Sequence, residues 1–319
     1  MSDAFLLSTG SMGTVVTIHI VGGGAPGDRA AHHRAAERAL GWFREIERVC
    51  SRFEPTSEVS ALSSRVGEPV AVSPMLFAAA HFALAVAEET DGAFDPTLGS
   101  LLEAAGFNHE HRSGWPVRIA PASNGDATFR DVVLDAETQT IRLERPLLLD
   151  LGAVAKGLAI DMAVKQLHDD GYESFTVDAG GDLYLAGTNA AGEPWSVGIR
   201  HPRREGEILE SFRVSNTAVC TSGDYERRVS AECSAIEHHI IDPRTRSSAT
   251  RCASVTTLAS SAMVADALGT AAFVLGPIDG LALLERHGIE AVIITPELER
   301  VATALAVAAA DSDRRPGAS

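Results

Sequence analysis

Two stretches of the chain combine charged or hydroxyl side chains at spacings that could bind phosphate and a metal ion. The first is Leu147–Val164, where a short apolar run ends in Asp150 and leads through Gly152–Gly157 into an apolar-periodic segment. This pattern predicts a strand, a tight turn and a helix. The N-terminus of a helix favours phosphate, and Lys156 would add a compact positive charge there. The alternative is an ordinary helix cap with a surface lysine.

The second stretch is Ser261–Gly276, which is mostly apolar. Asp266 and Thr270 are four positions apart and therefore share one face of a predicted helix. A carboxylate in apolar surroundings needs a partner, because burying an unpaired charge is costly. Magnesium takes carboxylates, neutral oxygens and substrate phosphates as ligands, so the pair is a candidate Mg²⁺ site. Alternatively, the aspartate bonds to nearby backbone and the threonine bonds to its own helix.

The predicted helices and strands that position these two stretches do not alternate strictly along the sequence. Apolar periodicity predicts long helices over Asp28–Cys50, Ser73–Thr90 and Ser261–Val274. Short strands between glycine-rich turns indicate a mainly antiparallel or mixed sheet, and the whole order predicts an α+β fold. We expect one domain of two closely packed subdomains over 1–309 and a disordered tail at 310–319. The predicted strands are Met12–Ile20, Val132–Leu134, Thr140–Leu143, Ser174–Val177, Leu183–Ala186, Ser196–Ile199, Arg213–Val214, Ala218–Thr221, His239–Ile241, Ser254–Leu258 and Ala291–Ile294.

Composition and charge exclude several classes of function. The 319 residues are 45% apolar, which is enough for a large core, and 43 acidic against 27 basic residues give a formal charge of −16. This charge argues against nucleic acid and anionic membranes as partners. No apolar run reaches the roughly 20 residues of a membrane span and no signal peptide is recognisable, so we expect a cytoplasmic protein without membrane insertion. The cysteines lack CxxC spacing, which is typical of reduced, buried thiols.

A set of short motifs follows one order along the chain. The motifs are MGT at Met12–Thr14, SRF with SEVSALS at Ser51–Ser63, GAFDPT at Gly92–Thr97, DLGAVAKGLAID at Asp150–Asp161, VDAGGDLYLAG at Val177–Gly187, WSVGIRHP at Trp195–Pro202, TSGDYER at Thr221–Arg227, HIIDPRT at His239–Thr245 and ADALGTAAFVLG at Ala265–Gly276. Each motif alone is a weak signal. Together and in this order they resemble the FAD:protein FMN transferase (ApbE) family.

The resemblance implies an α+β protein with FAD in a cleft between subdomains and Mg²⁺ at the diphosphate. Members similar to this chain split FAD, release AMP and attach FMN through its phosphate to a threonine or serine hydroxyl of a flavoprotein motif. FAD and such an acceptor are therefore the expected partners. By matched position, Ala153 through its backbone oxygen, Asp266 and Thr270 would hold the metal. The residues that would contact the flavin nucleotide are Met12, Phe53, Ala93, Phe94, Asp95, Asp150, Lys156 and Ile240.

Several of these residue types suit the implied roles. Phe53 and Phe94 offer flat surfaces to a fused ring, although core packing is the alternative. Lys156, together with the cation, would offset the charge on the diphosphate during cleavage. A hydroxyl nucleophile benefits from a positioned base, and His239 is the first candidate, with Asp242 the second. The alternative for His239 is a hydrogen bond within a strand.

Two positions depart from the family pattern. Phe53 stands where an aromatic residue with a hydroxyl is usual, and Arg246 stands where glycine usually follows the threonine, so the turn there is expected to change. Nothing in the sequence identifies the acceptor. Two alternatives therefore stay open: a Mg²⁺-dependent hydrolase that releases FMN and AMP, and an FAD-binding protein without catalysis.

Overall fold

The computed structural model describes residues 4–22, 29–109, 115–119, 126–226 and 236–304. None of the helices in these ranges is long and apolar enough to cross a lipid bilayer. The helices are α1 (Arg29–Cys50), α2 (Glu58–Leu62), α3 (Pro74–Glu89), α4 (Gly99–Ala104), α5 (Gly152–Asp169), α6 (Ala262–Leu275) and α7 (Pro277–Arg286). The strands are β1 (Ala4–Ser11), β2 (Thr14–Val21), β3 (Val70–Ala71), β4 (Val132–Asp135), β5 (Thr140–Leu143), β6 (Phe175–Ala179), β7 (Asp182–Ala186), β8 (Trp195–Arg200), β9 (Ile208–Val214), β10 (Thr217–Gly223), β11 (Ile241–Asp242), β12 (Ser247–Ser248), β13 (Ser254–Ala259), β14 (Glu290–Ile294) and β15 (Arg300–Ala302).

The main sheet has eight antiparallel strands in the order β1-β2-β6-β7-β10-β13-β14-β15. Side chains alternate between its two faces. In β14, Ile293 belongs to the core under the helices, whereas Val292 and Ile294 belong to a second apolar cluster. Helix α6 packs on β10 and β13, α5 packs on α6, and α1 packs on α5. The hairpin β8–β9 covers the opposite face through Val197 and Phe212.

A smaller sheet, in the order β3-β5-β4, lies beside this layer. Ile141 and Leu143 of β5 belong to the same buried cluster as Phe43 of α1, so one apolar core runs through both sheets. The prediction of an α+β fold with mainly antiparallel sheets is confirmed. The division into two subdomains stays a prediction, and the tail predicted at 310–319 lies outside the described residues.

Helices α5 and α6 cross at a glycine. A Cβ atom on Gly157 would lie 2.4 Å from Met263 Cα and 2.5 Å from Met263 N. Real Cβ atoms do not approach backbone this closely, so only glycine permits this crossing. The close approach lets Lys156, next to Gly157, contact Asp266, which follows Met263 by three residues.

The carboxylate of Asp161 in α5 also holds the two helices together at this crossing. It accepts hydrogen bonds from Ser261 Oγ at 2.6 Å, from Ala262 N at 2.7 Å and from Met263 N at 3.1 Å. These donors include N–H groups of the first turn of α6, which have no partner within their own helix. Burial raises the pKa of the Asp161 carboxyl, and the three hydrogen bonds oppose that rise. Asp161 therefore caps α6 and sets its register against α5.

Two local predictions near Asp150 are wrong. Leu148 forms only an isolated bridge, so the expected strand before Asp150 is absent. The segment GAVAKG is not a turn, because α5 begins at Gly152 and the Ala155 N–H donates to the carbonyl oxygen four residues earlier at 2.7 Å. Lys156 consequently lies in the second turn of α5 and reaches the site from the side of the helix, not from its N-terminal end.

Candidate functional site

A cavity of about 730 Å³ opens between the main sheet, the first turns of α5, helix α6 and the segment around α4. This volume lies within the range of roughly 300–1,000 Å³ that small-molecule sites occupy. Both stretches singled out in the sequence contribute to its wall. The predicted site residues in the lining are Phe53, Ala93, Phe94, Asp95, Asp150, Ala153, Lys156, His239, Ile240, Asp266 and Thr270.

An ion cluster around Lys156 lies in this wall. Its Nζ donates to Asp266 Oδ2 at 2.8 Å and forms a second ion pair with Asp182 Oδ2. The three side chains are only 18%, 10% and 9% exposed for Lys156, Asp266 and Asp182, so solvent screens their interaction weakly. One ammonium is shared by two carboxylates. The cluster therefore keeps one surplus negative charge at the cavity.

Hydroxyl groups extend this cluster along α6 and β10. Thr270 follows Asp266 by one helical turn, and its Oγ1 lies 3.3 Å from Ser222 Oγ, which also lines the cavity. Carboxylate, hydroxyl and carbonyl oxygens form the donor set that hard cations prefer, and the surplus negative charge favours one. These residues fit Mg²⁺. In the described ranges, no group of three or more His, Cys, Asp or Glu side chains offers a different metal site.

Asp150 connects the start of α5 to the part of the cavity wall that contains Phe53. Its Oδ2 accepts from Arg52 Nε at 2.6 Å, and its Oδ1 accepts from Gly152 N at 2.8 Å. Arg52 is only 6% exposed, and its guanidinium carbon lies 4.1 Å from the centroid of the Phe53 ring. The cation–π contact and the ion pair hold this ring at the cavity. Asp150 thus positions the first turn of α5 as well as lining the site.

Asp95 supports the loop on which Phe94 reaches the cavity. Its Oδ1 accepts from Thr97 Oγ1 at 2.6 Å and from Thr97 N at 2.8 Å, while Oδ2 accepts from Phe129 N at 3.2 Å. Burial raises the pKa of the Asp95 carboxyl, and these hydrogen bonds counteract part of the rise. Phe94 is buried in the same wall.

Adjacent histidines take different positions. His238 is buried: its Nδ1 accepts from Ile240 N at 3.3 Å, so its Nε2 donates to Ala249 O at 3.0 Å. Its ring packs edge-on against Phe273. His239 is partly exposed and lines the cavity. Of the two histidines, the structure thus brings to the cavity the one predicted as a base.

Two predicted site residues do not line the cavity. Met12 occupies the two-residue turn between β1 and β2, where its N–H donates to Glu47 Oε1 at 2.8 Å. Asp242 is buried at the end of β11, and its Oδ1 accepts from Arg244 N at 2.9 Å in the turn that leads to β12. Its carboxylate therefore closes that turn. The nucleotide contact of Met12 and the catalytic role of Asp242 stay predictions that this arrangement does not support.

Arg246, one of the two departures from the family pattern, lies in the same turn. Its φ angle is +58°, in the left-handed region that glycine adopts without strain. Arg246 N donates to Asp242 O at 2.8 Å, which closes the turn. The expected change of turn stays a prediction.

The sequence analysis missed Asp182. It opens β7 directly after Gly180 and Gly181, whose φ angles are +70° and +99°. The available signal was an acidic residue at the start of an otherwise apolar strand. Thr221 N donates to Asp182 Oδ1 at 3.1 Å, which fixes the carboxylate on the sheet side of the cavity. Only the three-dimensional contact with Lys156 shows its importance.

Comparisons with known proteins show the family of this chain. The family model of the ApbE family matches residues 12–293. The FAD:protein FMN transferase of Vibrio cholerae is 31% identical, with 90% of this chain and 86% of the relative covered. That of Treponema pallidum is 34% identical over 83% of this chain and 78% of the relative. The crystal structure of the ApbE protein from Thermotoga maritima matches with a TM-score of 0.83 and 30% identity, covering 97% of this chain and 99% of that one. The chain therefore belongs to the ApbE family.

Proposed function

We propose that this protein is a Mg²⁺-dependent FAD:protein FMN transferase. It cleaves FAD, releases AMP and attaches FMN by a phosphoester to a threonine or serine hydroxyl of an acceptor flavoprotein. Membership of a family whose curated relatives carry this name makes the chain a transferase. The observation that carries the proposal is the convergence of Lys156, Asp266 and Thr270 on a cavity with aromatic side chains.

The metal would be held by the Ala153 backbone oxygen, the Asp266 carboxylate and the Thr270 hydroxyl. A bound Mg²⁺ supplies electrostatic stabilisation of the diphosphate as it is cleaved. The chain itself contributes the Lys156 ammonium, which can donate a charge-assisted hydrogen bond to a phosphate oxygen. Phe53 and Phe94 supply flat surfaces for the flavin ring.

The transfer step needs a group that takes the proton of the acceptor hydroxyl. His239 lines the cavity and is the candidate base. As the acceptor oxygen bonds to the phosphorus of the FMN part, the bridging P–O bond breaks and AMP leaves with the bridging oxygen. His239 holds the released proton, and Lys156 offsets the charge on the phosphates. The location of the protein and its acceptor in the cytoplasm stays a prediction from the sequence.

The proposal is tested by incubating the protein with FAD, Mg²⁺ and an acceptor flavoprotein that carries a threonine-containing motif. Mass spectrometry should show the acceptor gaining one FMN, with an equal amount of AMP released, and a chelator should stop both. Release of FMN and AMP that an acceptor does not change would indicate the hydrolase instead. FAD binding without any turnover would identify a non-catalytic binding protein.

A variant of His239 tests the proton-transfer role. His239→Ala is expected to lower kcat for FMN transfer about 10²–10⁴-fold, the usual contribution of a general base, with FAD affinity retained. Stopped assays with mass detection of the flavinylated acceptor give kcat, and fluorescence quenching of FAD gives the affinity. His81→Ala, at an exposed position of α3, is the control and should behave as the unmodified protein. Unchanged kcat in His239→Ala would remove this residue from the mechanism.

A further inference from the structure

We propose that Lys156 is an exchangeable counter-ion of the metal site. Without metal, its ammonium neutralises Asp182 and Asp266; binding of the divalent cation to Asp266 displaces the ammonium from that carboxylate, while Asp182 retains it beside the diphosphate position. This inference rests on the proposed function, because it concerns the same metal site. It adds a role for Asp182, which acts on the metal through Lys156 and not as a ligand.

The geometry makes ammonium and metal competitors. Lys156 Nζ lies 2.8 Å from Asp266 Oδ2, an oxygen of the carboxylate that would hold the metal. An ammonium at this distance and a divalent cation on the same carboxylate repel each other strongly, because the partly buried site screens them weakly. The two cations cannot both stay close to that oxygen. Metal binding therefore requires Nζ to move.

Asp182 offers the ammonium a place to remain. Asp182 and Asp266 approach Nζ from different elements, the first from strand β7 and the second from helix α6. Lys156 Nζ also pairs with Asp182 Oδ2, and the N–H of Thr221 holds the other oxygen of Asp182 in place. A lysine has a flexible four-carbon stem, so its ammonium can leave one carboxylate and keep the other.

The choice of residue supports an exchangeable charge. Lys156 and Lys165 are the only lysines in the sequence, and every other residue among the 27 basic ones is an arginine. Arginine presents a planar fork that binds carboxylates at two points, whereas lysine is a compact point charge on a mobile stem. The chain therefore has a lysine, and not its usual arginine, at the position where the metal would displace a side-chain cation from a carboxylate.

Metal binding by variants tests the exchange, with Mg²⁺ alone titrated into the metal-free protein by calorimetry. Lys156→Met should bind Mg²⁺ about tenfold more tightly, because the competitor is gone, and Asp182→Asn should bind about tenfold more weakly, because Lys156 then pairs with Asp266 alone. The double variant should match Lys156→Met, since Asp182 acts only through the lysine. Lys165→Met is the control and should leave the affinity unchanged, because Lys165 is exposed and pairs with Asp169.

A second measurement observes the ammonium in the unmodified protein. With ¹⁵N-labelled lysine, NMR should show separate signals for two side chains, and Mg²⁺ should shift or broaden only that of Lys156. An unmoved signal at saturating Mg²⁺, or a double variant as weak as Asp182→Asn, would overturn the proposal. An assay of FMN transfer with the same preparation separates a failure of the exchange from a failure of the proposed function. An active protein with an unmoved Lys156 signal would disprove the exchange alone. An inactive protein would contradict the proposed function.

Discussion

Replacing Asp266 with alanine is expected to lower FMN transfer about 10³-fold, the scale seen when a strong electrostatic group is removed from an active site. The change removes a carboxylate that would hold the metal beside the diphosphate. The fold should persist for two reasons. Lys156 keeps Asp182 as a partner, so the buried ammonium stays neutralised. Alanine is also the best helix former, and position 266 lies inside α6.

The measurement is the rate of acceptor flavinylation at several Mg²⁺ concentrations, together with the melting temperature in a chelator. Asp279→Ala is the matched control, because Asp279 is an exposed aspartate in the first turn of the neighbouring helix α7. Its transfer rate and metal dependence should match those of the unmodified protein. Full activity in Asp266→Ala with an unchanged Mg²⁺ dependence would exclude Asp266 from the metal site. Loss of the folded state would show a structural role instead.

The helices were predictable because their signals are local. The helices predicted from Ser73 and Ser261 begin one residue later, at Pro74 and Ala262, since each serine hydroxyl accepts a hydrogen bond from an N–H in the first turn. Strand β1 was not predicted, and its pairing with β2 explains why: its partner and register follow from a two-residue turn that starts at Met12. Strand pairing depends on residues beyond the strand itself.

Part of the site was predictable from the sequence. The part that was not is which side chains contact one another in the folded chain. Lys156 and Asp266 are 110 positions apart, and no spacing rule connects them. Their common location came from resemblance to a family, and the structure brings both to one cavity. Asp182 belongs to a third element, and only the folded arrangement shows that it shares the ammonium. The sequence alone does not show that a carboxylate in a strand and a carboxylate in a helix pair with the same ammonium.

The wrong prediction for the segment GAVAKG has an instructive physical reason. Two glycines within six residues favour a turn, because glycine adopts conformations that other residues avoid. In the structure Gly157 is helical, and it is needed for lack of a side chain and not for its backbone freedom. A glycine required by a neighbouring helix looks the same in sequence as one required by a turn. Only the approach of Met263 separates the two cases.

This reason predicts a large loss of stability when Gly157 is replaced. Gly157→Ala should lower the free energy of unfolding by about 3 kcal/mol, the upper range for overpacking in a core. The added Cβ would lie within 2.6 Å of three backbone atoms of Ala262 and Met263, and backbone cannot move aside as a flexible side chain can. Separation of α5 from α6 should also weaken the pairing of Lys156 with Asp266. Urea unfolding measures the first effect, and Mg²⁺ affinity measures the second.

A second glycine distinguishes this mechanism from helix propensity. Gly41 lies inside α1, and a Cβ there would meet nothing within 4 Å. Gly41→Ala should therefore stabilise the protein by about 0.5–1 kcal/mol, because alanine loses less conformational entropy in a helix. The same substitution thus has opposite signs at two helical positions, and only the neighbouring backbone differs. An unchanged free energy of unfolding in Gly157→Ala would mean that α5 and α6 separate at little cost, in which case this crossing does not fix the distance between Lys156 and Asp266.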